Sequence, residues 1–257
     1  MSLLDAPLGS YMSEPVHTVP QGATLREAHE ALERLAISAL CVVDPAGQPC
    51  GVLSRTDLIG ARRRRDHGPR ALELPQANVA ELMHRDVVVL DAADCLARAA
   101  SVLVDRGIHR VFVSEGGRLR GVVSGREIME AAVRHRVRTP LASFMSRAIV
   151  SVNPGDAVRV AVERLASTHR RALPVMEDGF ALGWFTQYEA LLFRDSPSES
   201  PVEDWMHTRV LTVPETMSAH RAAAHALAVG AQRVLAMDDQ GVSGLVTGTD
   251  FAAAITA

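Results

Sequence analysis

Four short stretches of the chain place a hydroxyl three residues before an acid: Ser54 with Asp57, Ser124 with Glu127, Thr186 with Glu189 and Thr247 with Asp250. Each follows a Gly and a hydrophobic pair (Gly51-Val-Leu, Gly121-Val-Val, Gly183-Trp-Phe, Gly244-Leu-Val), which reads as a strand running into a helix. In the first turn of that helix the acid has two uses. It can complement the helix dipole as a cap. It can also accept hydrogen bonds from a ligand, while the hydroxyl and the free N–H groups of the helix start suit an anion. The basic residues His109, Arg110, Arg170 and Arg171 stand just before apolar runs. Arg is a good bidentate partner for phosphate.

Other chemistries lack their residues. All 27 basic residues are Arg, so neither a Schiff-base lysine nor a phosphate-loop lysine is available. The ten His show no metal-ligand spacing, and His220 and His225 lie five apart, on different helix faces. Nucleophile-elbow and dinucleotide-binding fingerprints are missing. We therefore expect no catalytic residues, no metal and no cofactor. The net charge of −3 argues against nucleic acid as partner, and Arg62–Arg65 reads as a solvated linker. The chain has no apolar run long enough to insert in a membrane and no secretory signal. Cys41, Cys50 and Cys95 form no even framework, which fits a reducing cytoplasm.

The elements that position the four acids repeat with them. Each acid stands 44 or 45 residues after a Met (Met12, Met83, Met145, Met206). After the Met come a short strand (Val16–Val19, Val87–Leu90, Ile149–Val152, Val210–Val213), a breaker, an amphipathic helix, a second strand, a turn and a third strand. Thr24 and Glu27 have capping-box spacing. Ser218 takes the place of Thr24 in the fourth repeat, and Asp94 and Asp156 offer caps one residue earlier. The four Met read as core plugs, and Trp184 and Trp205 as packing residues. The domains expected are an N-terminal segment 1–10, repeat one 11–61, linker 62–78, repeat two 79–132, linker 133–139, repeat three 140–195, linker 196–200 and repeat four 201–257. A β-α-β-β-α unit this small must share a core. The linkers suggest that the first repeat packs helix face on helix face with the second, and the third with the fourth.

These residues resemble the CBS domain, named for cystathionine β-synthase, over about Met12 to Ala252. The best match is Arg106-Gly-Ile-His-Arg-Val-Phe-Val113 with Gly121-Val-Val-Ser124, which resembles the second repeat of the γ subunit of AMP-activated protein kinase. The resemblance implies an α+β (α/β) fold, with four repeats in two pseudo-symmetric pairs that form a disk. It also implies a non-catalytic sensor that holds an adenosine-containing ligand, AMP, ADP or ATP, between paired repeats and signals to a regulated partner protein. In the first implied cleft Ser54 and Asp57 hold ribose and phosphate, Val87 and Val88 the base, Ile108 covers it, and His109 and Arg110 meet phosphate. In the second, Thr247 and Asp250 work with Ile149, Val150, Arg170 and Arg171. Glu127 and Glu189, longer by a methylene, would misplace the ribose and read as caps. Of the Pro common at the start of the second strand in the family, only Pro174 remains. The competing reading is a ligand-free dimerisation or interaction scaffold, and a further one is an S-adenosylmethionine sensor. Four repeats in one chain or eight in a homodimer are both open, and a homodimer is the expectation.

Overall fold

In the computed structural model, residues 5–63, 74–192 and 199–256 are described. Arg64 and Arg65, and most of the linker after residue 192, lie outside them. Repeat one contains β1 (Thr18–Pro20), α1 (Leu25–Arg34), β2 (Ala39–Val43), β3 (Pro49–Ser54) and α2 (Arg55–Arg63), followed by a short α3 (Val79–Leu82). Repeat two contains β4 (Val89–Asp91), α4 (Leu96–Asp105), β5 (Arg110–Glu115), β6 (Arg118–Ser124) and α5 (Gly125–Arg134). Repeat three contains α6 (Val158–Ser167), β7 (Ala172–Glu177), β8 (Phe180–Thr186) and α7 (Gln187–Leu192). Repeat four contains β9 (Thr212–Pro214), α8 (Ala219–Ala228), β10 (Arg233–Asp238), β11 (Gly241–Thr247) and α9 (Gly248–Thr256). The β-α-β-β-α grammar holds, with one difference. The first strand expected at Ile149–Val152 is a single parallel bridge, Val152 to Val175, so repeat three carries a two-stranded sheet.

In each three-stranded sheet the second strand is central, parallel to the first and antiparallel to the third. The register is the same in all four repeats: Ala39 faces Ser54, Arg110 Ser124, Ala172 Thr186 and Arg233 Thr247. The hydroxyl residue therefore always ends the third strand beside the first residue of the second. That register fixes which residues can surround the acid.

Helix starts follow local chemistry only in part. Thr24 and Glu27 form the full capping box on α1. Replacing Thr24 with Ala is expected to lower stability by about 1 kcal/mol in denaturant unfolding. The Thr24 hydrogen bonds hold the Glu27 carboxyl below its ordinary pKa. A depressed carboxyl supports the fold above its unfolded pKa, and the support is lost as pH falls through the folded value. Asp94 and Asp156 do not cap. They accept from Asp91 N and Asn153 N, each at 2.9 Å, and so brace the turn before the helix, while Cys95 and Ala157 occupy the cap positions. Ser218 is an N-cap whose side chain makes no capping bond.

The chain divides into two compact units. The even unit holds repeats two and four (residues 88–149 and 210–257) together with residues 1–16. The odd unit holds repeats one and three, as residues 17–87 and 150–209. The helix faces that meet differ from those expected. In the even unit α5 packs on α8 and α9, and α4 on α9; in the odd unit α2 packs on α7 and α6. Second thus packs on fourth, and first on third. Linker composition says which segments follow one another, but side-chain volume decides which faces fit. Ala99, Ala100, Ala131 and Ala132 face a matching row of Ala222, Ala223, Ala226 and Ala252 in one core, and small side chains allow close helix approach.

Neighbours in sequence are linked instead by exchange of their leading segments. Each unit boundary falls three or four residues after one of the four Met. Each Met lies against the recurrent Gly of its neighbour: Met83 on Gly51, Met12 on Gly121, Met206 on Gly183 and Met145 on Gly244. Residues before Met12 also join this packing, since Ala6 and Leu8 are buried in the even core. A β-carbon added to Gly183 would stand 2.7 Å from Met206 Sδ and 2.8 Å from the His207 carbonyl oxygen. Gly183→Ala is expected to destabilise by about 1–3 kcal/mol in chemical unfolding.

Candidate functional site

The four hydroxyl–acid units share one geometry. Ser54 N and Oγ each donate to Asp57 Oδ2 at 2.7 Å. Ser124 N and Oγ donate to Glu127 Oε2 at 2.7 Å, and Thr247 N and Oγ1 to Asp250 Oδ2 at 2.7 Å. Thr186 donates to Glu189 Oε2 in the same way. Every acid thus spends one oxygen holding the strand-to-helix turn. The hydroxyls of Ser54 and Thr247, expected to meet a phosphate, donate to the acid instead.

The second oxygen separates the acids. Glu127 is buried, and its Oε1 accepts from Ser13 Oγ at 2.5 Å. Glu189 is buried as well. Asp57 and Asp250 are half-buried. Asp57 Oδ1 shares a 2.8 Å hydrogen bond with His84 Nε2, whose side chain is 75% exposed. Asp250 Oδ1 has no hydrogen-bond partner among the described residues. The Asp57 side chain is only 8% exposed, so what sets Asp57 and Asp250 apart from Glu127 is the partner of the second oxygen.

Sequence reasoning missed His84 and Ser13. Both follow directly after a recurrent Met, as do Ser146 and His207. That position is Ser or His in all four repeats. The exchange of leading segments bridges it to the neighbour's third strand in all four repeats, and Ser13 and His84 reach the acids Glu127 and Asp57.

The other candidates fall in both units. Ser54, Asp57 and Val87 belong to the odd unit, and Val88, Ile108, His109 and Arg110 to the even unit. Val88 O accepts from Phe112 N at 2.9 Å. Ile108 is half-buried against the even core, His109 is exposed, and Arg110 opens β5. Thr247, Asp250 and Ile149 are in the even unit; Val150, Arg170 and Arg171 are in the odd one. Arg170 is exposed. Arg171 Nη2 donates to Ser38 Oγ of repeat one at 2.6 Å. Groups of His, Cys, Asp and Glu able to hold a metal ion are not found among the described residues. No helix there is long and apolar enough to cross a membrane.

The family model of the CBS domain matches residues 8–64, 79–134, 141–194 and 202–257. The chain belongs to the CBS-domain family. It is similar to an uncharacterised 33.4 kDa protein encoded in a ribosomal RNA operon of Thermofilum pendens, 27% identical over 65% of this chain and 57% of that protein. The chain thus spans little more than half the length of that relative. Over its length it also resembles the solved structure of MJ1225 of Methanocaldococcus jannaschii, described as a proposed archaeal homologue of γ-AMPK. The TM-score is 0.83 at 16% identity, covering 96% of this chain and 99% of that one. A conserved Pyrococcus horikoshii protein of uncharacterised role gives a TM-score of 0.68 at 20% identity, covering 97% and 99%.

Proposed function

We propose that the chain is a regulatory module that binds an adenosine-containing ligand, an adenine nucleotide, with Asp57 as the ribose acceptor. The observation that carries this reading is the contrast between Asp57 and Glu127. Both hold their turn through one oxygen, but the second oxygen of buried Glu127 is taken by the Ser13 hydroxyl, whereas that of Asp57 meets only the exposed His84. The His84 side chain is 75% exposed and can turn out into water, so ribose hydroxyls can take its place on Asp57. Val87, in the same unit as Asp57, would hold the base. Asp250, whose Oδ1 has no hydrogen-bond partner among the described residues, is the second candidate, with Ile149 of the same unit. Occupancy would bias one conformation through differential affinity, and a partner protein would read that bias.

A scaffold without ligand is the second reading. It is favoured by the internal hydrogen bonds that all four acids already make. Calorimetric titration with AMP, ADP, ATP and S-adenosylmethionine separates the two. The expected result is micromolar binding of a phosphate-bearing ligand, about −8 kcal/mol, that Asp57→Ala abolishes. Absence of binding at millimolar ligand would leave the scaffold.

A further inference from the structure

The residue after each recurrent Met is Ser in the even unit (Ser13, Ser146) and His in the odd unit (His84, His207). Each is carried to a third strand: Ser13 bridges Val122, Ser146 Leu245, His84 Val52 and His207 Trp184. The two that reach an acid do so with different chemistry. Ser13 Oγ donates to Glu127 Oε1, and a hydroxyl keeps its proton throughout the physiological range. His84 Nε2 lies 2.8 Å from Asp57 Oδ1, and histidine is the side chain that gains and loses charge between about pH 5 and 8.

The pair is asymmetric. The Asp57 side chain is 8% exposed and is held by Ser54 N and Oγ, whereas that of His84 is 75% exposed. The carboxylate is the fixed partner, and the imidazole is the one that can leave. An ionised carboxylate only accepts, so Nε2 carries the hydrogen. Neutral imidazole meets that condition in one tautomer. Imidazolium always meets it, and its charge-assisted bond is about twice as strong. Protonation therefore tightens the hold of His84 on the oxygen that a ligand needs. The other charged or titratable groups on the elements around His84 are Arg55 on α2, Cys50 on β3, Glu81 on α3, and Arg85 and Asp86 on its own segment. Arg55 donates to the Leu32 carbonyl at 3.1 Å, Arg85 to the Ala80 carbonyl at 3.4 Å, and Glu81 accepts from Asn78 N at 2.8 Å. Burial and then Asp44 push the Cys50 thiol above its ordinary pKa, so it stays uncharged near neutrality. Of these groups, only the imidazole is of a type that titrates there.

We propose that His84 is a proton-operated latch on Asp57. Charged, it holds the carboxylate against the hydroxyls of a ligand; neutral, it yields to them. The latch presupposes Asp57 as the ribose acceptor and adds regulation to that site. Its sign follows from linkage: a ligand that displaces the imidazole binds more weakly as pH falls, and its binding releases a proton. Asp250 has Ser146 in the corresponding place, so the second candidate carries no such latch.

Calorimetric titration of the full chain with AMP at about pH 8 and about pH 5.5 tests this in wild type, His84→Gln and Asp57→Ala. Gln keeps a neutral donor that cannot titrate. The titration of AMP itself cancels between wild type and His84→Gln. From the higher to the lower pH, wild-type affinity is expected to fall about five- to tenfold more than that of His84→Gln. At the higher pH the two should agree within about threefold, and Asp57→Ala should not bind at either. Buffers of different ionisation enthalpy should reveal a proton release in wild type that His84→Gln lacks. Parallel pH profiles for wild type and His84→Gln, with binding lost in Asp57→Ala, would keep Asp57 as the ribose acceptor and reject the latch. An affinity that rises in wild type relative to His84→Gln as pH falls would also reject it, and would place the imidazolium on the phosphate. No AMP binding in wild type at either pH would remove the ribose acceptor and the latch together. Should His84→Gln fail to fold, His84→Ala decides by the same profile.

Discussion

Gly248→Ala is expected to destabilise the protein by about 3 kcal/mol or more, at the upper end of overpacking effects. A β-carbon there would stand 2.3 Å from Gly125 Cα, and the reciprocal carbon on Gly125 2.5 Å from Gly248 Cα. The obstacle in both directions is backbone, which cannot swing aside as a Met side chain can. Relief requires α5 and α9 to separate, and these helices bury Ile128, Ala131, Ala132, Phe251, Ala252 and Ile255 in one core. The loss would lower the thermal midpoint of a chain this size by about 6–12 °C. Gly22→Ala is the control, since a β-carbon on Gly22 meets nothing within 4 Å and should be neutral or stabilising by about 0.4–1 kcal/mol. Equal midpoints for Gly248→Ala and Gly22→Ala would show that the glycine contact does not hold the unit together.

Much of this architecture was legible because the repeat prints the same local grammar four times. The Met, the Gly-hydrophobic strand and the hydroxyl–acid turn are local signals. They placed the strands and helices within a few residues, as Thr24 capping α1 illustrates. What was not legible depends on contacts far apart in sequence. Met83 and Gly51 are both conspicuous, yet only folding shows that one fills the space the other leaves. The same holds for His84 beside Asp57. Helix pairing was misread because neighbouring repeats exchange leading segments while their helices pack elsewhere, and no linker encodes that. The strand expected at Ile149–Val152 shrinks to one bridge because pairing with β7 is limited to Val152 and Val175. Asp94 and Asp156 lie one residue too early, so their carboxylates reach the turn rather than the helix N–H groups.

Asp57→Ala and Glu127→Ala should separate binding from stability, although both acids sit in the same motif. Asp57 would accept two ribose hydroxyls, and hydrogen bonds to a charged group contribute about 1.5–3 kcal/mol each. Removing the carboxylate is therefore expected to weaken nucleotide binding by at least about 100-fold. The fold should suffer less. Among the described residues the turn donors that Asp57 accepts from are Ser54 N and Oγ, so its loss is a capping-scale change of about 1 kcal/mol. Glu127 is the reverse case. It is 2% exposed and accepts from Ser124 N, Ser124 Oγ and Ser13 Oγ. Glu127→Ala removes a buried carboxylate and the acceptor of three donors, two of them on half-buried Ser124, at about 1–3 kcal/mol in all, and should lower the unfolding midpoint clearly. Its nucleotide affinity should stay within about threefold of wild type, under 1 kcal/mol. Calorimetric titration and thermal unfolding of the two variants read both quantities. If Glu127→Ala lost affinity as steeply as Asp57→Ala, the choice of Asp57 over Glu127 as ribose acceptor would be wrong. Comparable affinity for Asp57→Ala and wild type would remove Asp57 from the site.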